Sequence, residues 1–157
     1  MFIDGWEFQE LENEHTTLRD ILNSDDGQWL WEDLQLTGEE EWVAQEIMQG
    51  TAIIISDGSF QPILTRELGT ASWHCYGMES NRLCRGSLRA TMDKWASAYR
   101  SELLGIYGAL YFILGICQHH RIQTGKIKLG CDSDGALLVS EPDMARVPIR
   151  YKQSDVV

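Results

Sequence analysis

Residues 51–59 read Thr-Ala-Ile-Ile-Ile-Ser-Asp-Gly-Ser, and this stretch decides the fold that the sequence predicts. Its β-branched run is apolar on both faces, a pattern typical of a central strand that is covered on both sides. Asp57 ends the apolar run, and the pair Asp57-Gly58 is typical of a turn. We therefore expect a central strand with a carboxylate at its carboxyl end.

Three further strands and a long helix are predicted after this strand. Residues 69–77 and about 82–90 have the pattern of two strands, and their short connections favour an antiparallel meander. Ser97 is a suitable N-cap for a helix over about residues 98–119. Residues 126–131 alternate lysines with apolar residues, as a half-exposed edge strand does. The order of these elements predicts an α/β domain.

The long helix has two different faces. On the helical period its large residues form one apolar stripe, made of Leu103, Ile106, Tyr107, Leu110, Leu114 and Cys117. The small residues collect on the other side, and they are Ser101, Gly105, Gly108 and Gly115. Each glycine inside a helix costs about 1 kcal/mol relative to alanine. We therefore expect another element to approach closely at the glycine face.

Residues 1–50 differ from the rest of the chain in charge. They hold 14 acidic residues and one basic residue, a net charge of −13, whereas residues 51–157 hold 12 basic and 10 acidic residues, a net charge of +2. The spacing of Thr37 and Glu40 resembles a capping box and predicts a helix to about Met48. We interpret residues 1–50 as an acidic, solvated helical leader, with a partner-binding segment as the alternative. The mildly basic domain at 51–157 permits contact with phosphates.

Composition argues against several classes of protein. A hydrophobic content of 43% and six tryptophans argue against global disorder. We find no secretory signal and no apolar stretch of roughly 20 residues, so we expect an intracellular protein, nuclear or cytoplasmic, with no membrane partner. The four cysteines have no CxxC spacing and are expected to be reduced, buried thiols. A zinc site built from His74, Cys75, Cys84 and either His119 or His120 is the weaker alternative.

Three carboxylates stand where predicted elements begin or end. Asp57 ends the first strand, Glu102 lies near the start of the long helix, and Asp132 follows the last strand. Taken singly, each has an ordinary structural role as a turn residue, a dipole-complementing acid or a helix cap. If they converge at one edge of the sheet, they supply the oxygen ligands that two Mg²⁺ ions require for phosphodiester hydrolysis.

The sequence around these carboxylates resembles the ribonuclease H domain of retroelement reverse transcriptases. The resemblance is carried by four blocks, namely Ser-Asp-Gly-Ser at 56–59, Gly-Thr-Ala-Ser-Trp at 69–73, Ser-Ala-Tyr-Arg-Ser-Glu-Leu-Leu-Gly at 97–105 and Gly-Cys-Asp-Ser at 130–133. They occur in that family's order and at similar separations, and they cover roughly residues 51–140. The resemblance implies a mixed sheet with three antiparallel strands, then a helix, then a fourth strand parallel to the first.

The resemblance also implies an activity, which is Mg²⁺-dependent cleavage of the RNA strand of an RNA–DNA hybrid, with Mn²⁺ as a possible substitute. Asp57, Glu102 and Asp132 would be the catalytic residues and the metal ligands, and Gly58 and Ser59 would approach the substrate backbone. The hybrid is the implied partner, recognised through its shape and its 2′-hydroxyl groups. A reverse transcriptase region upstream is the implied neighbour.

The sequence departs from the family pattern after Asp132. The family has a fifth strand and a C-terminal helix with a fourth acidic residue, which the 25 residues that follow Asp132 do not match. The chain therefore resembles a C-terminally truncated domain with an incomplete metal site. One alternative is a catalytically dead remnant that at most binds nucleic acid or a protein. A more distant alternative is an ATP-binding domain of related topology, but the phosphate loops that it requires are not found.

Overall fold

Strands and helices share one layered arrangement in the computed structural model, which describes residues 2–4, 17–23, 28–30, 33–64, 66–92 and 96–131. The strands are β1 (Phe2–Asp4), β2 (Gln35–Leu36), β3 (Ala52–Phe60), β4 (Leu68–Gly77), β5 (Leu83–Met92) and β6 (Thr124–Cys131). The helices are α1 (Leu18–Asn23), α2 (Glu41–Gln49) and α3 (Ala98–His119), with a single 3₁₀ turn at Gln28–Leu30.

The six described strands form one mixed sheet in the order β1-β6-β3-β4-β5-β2. β3 pairs with β4 and β4 with β5 in antiparallel fashion, and after α3 the chain returns as β6, parallel to β3. The predicted α/β class, the antiparallel meander and the parallel fourth strand are therefore confirmed. Membership of the ribonuclease H family stays a prediction. The predicted lack of a C-terminal strand and helix concerns residues 132–157, which lie outside the described residues.

Strand β3 is longer than the sequence predicts. The turn expected at Asp57-Gly58 is wrong, because the strand continues to Phe60. Asp57 is paired with Ser72 of β4, and Gly58 is paired with Ala71. Turn preference is a local property, and here the continuous ladder with β4 overrides it.

The expected cover on both faces of β3 is also wrong for the part of the chain that the structure describes. Ile54 is fully buried on the side of α3, whereas its neighbour Ile55 is 56% exposed on the other side. Successive side chains of a strand point to opposite faces of the sheet, so one face of β3 is inside and one is open. The apolar run therefore contributes less to the core than its composition suggests.

Helix α3 packs on the sheet through its small residues, and the predicted close approach is confirmed. A Cβ atom added at Gly105 would lie 3.3 Å from Cβ of Ala71, and one added at Gly108 would lie 2.8 Å from Cδ2 of Leu88. The glycines thus allow the axis of α3 to lie close to β4 and β5. Dense packing of this kind leaves little room for an added methyl group.

The apolar stripe predicted for α3 is only partly buried. Leu103, Ile106 and Cys117 belong to the core, whereas Tyr107 is 41% exposed. By length and composition α3 could cross a membrane, but 72% of its apolar window is buried inside this domain. That degree of burial is typical of the central helix of a folded domain.

The caps of the two longer helices differ from each other in how well the sequence predicts them. Ser97 caps α3 as predicted, since its Oγ accepts a hydrogen bond from the N–H of Arg100 at 3.1 Å. The capping box predicted at Thr37 is wrong, because α2 begins at Glu41 and the Thr37 hydroxyl donates instead to the carbonyl of Leu83 at 2.6 Å. A tertiary contact to β5 has replaced the local cap.

The N-terminal residues take part in the same sheet and core. β1 pairs with the first half of β6, so the edge position predicted for β6 is wrong there, and β2 pairs with β5 at the opposite edge. The buried side chains of α1 and α2 are Leu18, Ile21, Leu22, Trp42, Val43, Ala44, Glu46 and Ile47. The solvated character predicted for residues 1–50 is therefore wrong for these helices, while the domain boundary at residue 50 stays a prediction.

Candidate functional site

Among the predicted site residues that the structure describes, Glu102 is the most deeply buried. It lies in the capped first part of α3, and only 7% of its surface is exposed. Its Oε2 accepts a hydrogen bond from Sγ of Cys131 at 3.2 Å. Cys131 is the last residue of β6 and is in register with Ser56 of β3. The carboxylate of Glu102 is therefore held beside the last pair of the parallel ladder.

Gly58 brings β3 into direct contact with this part of α3. A Cβ atom at Gly58 would lie 2.6 Å from the carbonyl carbon of Ser101 and 2.9 Å from Cα of Glu102. Both atoms belong to the backbone and cannot turn away, so only glycine fits here. The predicted Asp-Gly-Ser block is thus packed against the predicted helix block. A contact between Gly58 and a substrate stays a prediction.

Asp57 leaves the sheet from the face opposite α3. Its side chain is exposed, as is that of Ser59, whereas Ser56 between the apolar run and Asp57 is buried. Asp57 and Glu102 are therefore brought near each other by the contact of Gly58 with α3, but Asp57 points away from α3, the helix that carries Glu102. Asp132 follows Cys131 in the sequence and lies outside the described residues. The convergence of all three carboxylates stays a prediction.

A groove of about 410 Å³ lies on the open face around Asp57. Most of its lining is polar and comes from alternate positions of β3, β4 and β5, with one acid from the N-terminal part, and the main residues are Asp33, Asp57, Ser59, Thr70, Ser72, Ser87 and Arg89. The hydroxyl of Ser87 donates to Oδ2 of Asp33 at 3.0 Å. Hydroxyl groups and a guanidinium beside an exposed carboxylate can hold a polar, phosphate-containing ligand.

A second buried carboxylate, Glu46 of α2, has a structural role that the sequence does not reveal. Only 1% of its surface is exposed, and it accepts hydrogen bonds from the Thr51 hydroxyl and from the N–H groups of Glu79 (3.1 Å) and Ser80 (2.6 Å). Burial raises the pKa of Glu46, but the hydrogen bonds from Thr51, Ser80 and Glu79 together lower it below the ordinary value of 4.5. Glu46 therefore remains charged and joins α2 to the β4–β5 hairpin.

A third cluster lies at the far end of α3 and contains Glu40, His119 and His120. One ligand atom from each residue lies within 4.8 Å of the other two, and all three residues are half-buried. Nε2 of His119 is 3.3 Å from Oε1 of Glu40, and the two imidazole rings meet edge to face with centroids 4.8 Å apart. This cluster could hold a metal ion.

The turn after α3 explains how two consecutive histidines can serve one cluster. Successive side chains inside a helix point about 100° apart, but the helix ends at His119, and His120 adopts φ −93° and ψ 5°. The N–H of Arg121 then bonds to the carbonyl of Gln118, and the N–H of Ile122 bonds to that of Cys117. This is the Schellman pattern of helix termination, which fixes the backbone that carries both rings.

Of the two histidines, His120 has the less satisfied imidazole ring. Its Nε2 is buried and has no hydrogen-bond partner among the described residues. Burial lowers the pKa of His120, and the neighbouring His119 lowers it further, against the opposing effect of Glu40 and Glu41. The neutral imidazole, which is the form that binds metals, is thereby favoured.

The weaker zinc alternative from the sequence is wrong. His74 is exposed and Cys75 is buried, as their alternation along β4 requires, so they face opposite sides of the sheet. Cys75 and Cys84 are cross-strand partners and free thiols. Their mutual hydrogen bond and burial raise the pKa of the Cys84 thiol. The expectation of reduced, buried thiols is confirmed for Cys75, Cys84 and Cys117, while Cys131 is half-buried.

Comparison of the chain with protein-family models, with curated proteins and with solved structures found no match. The likeness to ribonuclease H domains therefore rests on the four sequence blocks and on the order of the strands. Activity, substrate and partners accordingly enter as proposals.

Proposed function

We propose that this domain hydrolyses the RNA strand of RNA–DNA hybrids with the help of divalent metal ions. The observation that supports this most is the contact of Gly58 with the backbone of Ser101 and Glu102. It joins the Asp-Gly-Ser block to the helix block, next to the end of β6, where the fourth block begins. Two distant parts of the sequence thus lie side by side, which supports a shared site for phosphodiester cleavage.

The residues that are present fit Mg²⁺ in their chemistry. Asp57 and Glu102 offer oxygen ligands, which hard cations prefer, and Asp57 is open to solvent and to a substrate. Asp57 and Glu102, together with Asp132, would hold the metal; Mn²⁺ accepts the same ligands. When bound, the ions would activate a water molecule and neutralise charge on the leaving oxygen.

The chain itself would bind and orient the hybrid. Ser59, Thr70, Ser72 and Arg89 line the groove beside Asp57, and such groups suit sugar and phosphate contacts that do not depend on base sequence. The positive net charge of residues 51–157 is small, so only modest affinity is expected from charge alone. Specificity for the hybrid would come from its shape and from its 2′-hydroxyl groups.

The test is a cleavage assay on a labelled RNA–DNA hybrid in Mg²⁺, with the full chain and with Asp57→Asn and Glu102→Gln. Each variant should reduce the cleavage rate by about 10²-fold or more, because each removes charge from the proposed metal ligands. Asp33→Asn is the matched control, since Asp33 lies in the same groove but outside the four blocks. Equal rates for the chain and for Asp57→Asn, with circular dichroism unchanged, would contradict the proposal.

The second candidate function is binding without catalysis. It is favoured by the burial of Glu102 and by the hydrogen bond that its carboxylate accepts from Cys131, because a ligand oxygen committed to a thiol is less available to a metal. Under this alternative the chain binds the hybrid in a gel-shift assay but releases no product in Mg²⁺ or Mn²⁺. Cleavage that is lost in Asp57→Asn excludes it.

A further inference from the structure

The cluster at the end of α3 combines two imidazoles and one carboxylate, which is a different ligand set from that of the proposed nuclease site. His119 and Glu102 are 17 residues apart on one helix, which corresponds to about 25 Å along the helix axis. The cluster therefore lies far from the groove and from the residues assigned to hydrolysis. A function for it must be sought separately.

We propose that Glu40, His119 and His120 form a binding site for a transition-metal ion of the Zn²⁺ class. Imidazole nitrogens favour Zn²⁺, Co²⁺, Ni²⁺ and Cu²⁺ over Mg²⁺ and Ca²⁺. Two histidines and one glutamate are a sufficient set for tetrahedral Zn²⁺ when water occupies the fourth position. The site is independent of the proposed nuclease activity.

The geometry is close to what such an ion requires. Ligand atoms bound at about 2.0–2.1 Å in a tetrahedron lie about 3.3 Å from each other. Nε2 of His119 and Oε1 of Glu40 are already 3.3 Å apart. One ligand atom from each of the three residues lies within 4.8 Å of the other two, so only small side-chain rotations would be needed to bring them to this separation. The unsatisfied, buried Nε2 of His120 is a second sign that this ring lacks a partner among the described residues.

The backbone at the end of α3 would also favour a cation. His119 ends α3 and His120 caps it, so both lie where the carbonyl groups give the helix its negative end. Glu40 caps α2, whose positive end acts in the opposite direction, but the carboxylates of Glu40 and Glu41 add negative charge near His120. A bound ion would join the start of α2 to the end of α3, and it would thereby link the N-terminal part of the chain to the central helix.

The first test is metal binding by the full, untagged chain, with Co²⁺ as a spectroscopic probe and Zn²⁺ as its competitor. We expect about one equivalent of Co²⁺ with the visible absorption of a tetrahedral site, displaced by Zn²⁺ but not by millimolar Mg²⁺. Zn²⁺ at about a hundredfold excess over its Kd should raise Tm by about 5–10 °C. The proposal would be overturned if Zn²⁺ bound with a Kd above about 1 mM or not at all. Displacement of Co²⁺ by Mg²⁺ would overturn it as well.

Variants then locate the site. His119→Ala, His120→Ala and Glu40→Gln should each weaken Zn²⁺ binding by about 10-fold or more. His74→Ala and Glu39→Gln are matched controls, because His74 is an exposed histidine on β4 and Glu39 is the exposed acid next to Glu40. If His119→Ala does not fold, as judged by circular dichroism, His120→Asn and Glu40→Gln carry the test. If all cluster variants bound Zn²⁺ with the affinity of the unaltered chain, the ion would bind elsewhere. The same would follow if His74→Ala lost as much affinity as the cluster variants.

Discussion

The two ends of α3 have opposite chemistry. At its start, Glu102 is buried beside Gly58 and the thiol of Cys131. At its end, His119 and His120 are half-buried beside Glu40. The first end offers a buried oxygen ligand, which suits a hard cation, whereas the second offers two nitrogen ligands at a junction of two helices, which suits a softer ion. One helix can thus carry a candidate catalytic site and a candidate structural metal site without overlap.

The largest effect is expected at the first end, from Gly58→Ala. The new Cβ would meet backbone atoms of Ser101 and Glu102, and α3 would have to move away from β3. We expect the free energy of unfolding to fall by about 3 kcal/mol or more, measured by urea denaturation. Gly130→Ala is the control, because its nearest neighbours lie at 3.8 and 4.0 Å. A neutral Gly58→Ala would show that the contact does not position the helix.

An intermediate effect is expected from Glu46→Gln. Glu46 lies in α2, the helix that begins after Glu40 of the metal-site cluster. This variant leaves buried donors with a poorer acceptor. We therefore expect the free energy of unfolding, measured by chemical denaturation at pH 7, to fall by about 1–3 kcal/mol. Because the pKa of Glu46 is lowered on folding, its stabilising contribution is present above the unfolded value of about 4.5 and disappears as the pH falls through the lower folded pKa. The difference in unfolding free energy between Glu46→Gln and the unaltered chain should therefore become smaller at acidic pH.

Glu39→Gln provides the comparison for this pH dependence, since Glu39 is exposed on the approach to the same helix. Its stability should follow that of the unaltered chain at every pH. A constant difference between Glu46→Gln and the unaltered chain from pH 7 to pH 3 would contradict the assignment of a low pKa to Glu46.

The smallest effect is expected at the second end, from Arg121→Gly. Arg121 has a φ of +53°, a left-handed conformation that costs a residue with a side chain about 1 kcal/mol and that glycine adopts freely. We expect the variant to be more stable by up to about 1 kcal/mol, measured as a rise in Tm. Arg121→Ala keeps the strain and should give no such gain. Equal Tm values for the glycine and alanine variants would show that the turn after α3 is not strained.

Much of the structure at the start of α3 was predicted from sequence patterns between residues close together in the chain. The helical period and Ser97 gave the bounds of α3, and the run of small residues on one side predicted the close approach of the sheet. The local Asp57-Gly58 turn signal was wrong, because pairing with β4 extends the strand through it. The role of Glu46 could not be predicted, since the backbone N–H groups that bind it, those of Glu79 and Ser80, are more than 30 residues away.

The sequence alone predicted the order of the elements from β3 to β6, the apolar and small faces of α3 and the blocks that carry the ribonuclease H resemblance, because these depend on residues close together in the chain. Only the tertiary structure decided that Glu40 meets His119, that β1 pairs with β6, and that Asp57 points away from α3, the helix that carries Glu102. Such contacts join residues up to about 120 positions apart. No local pattern encodes them, since they arise from how whole elements pack around one core.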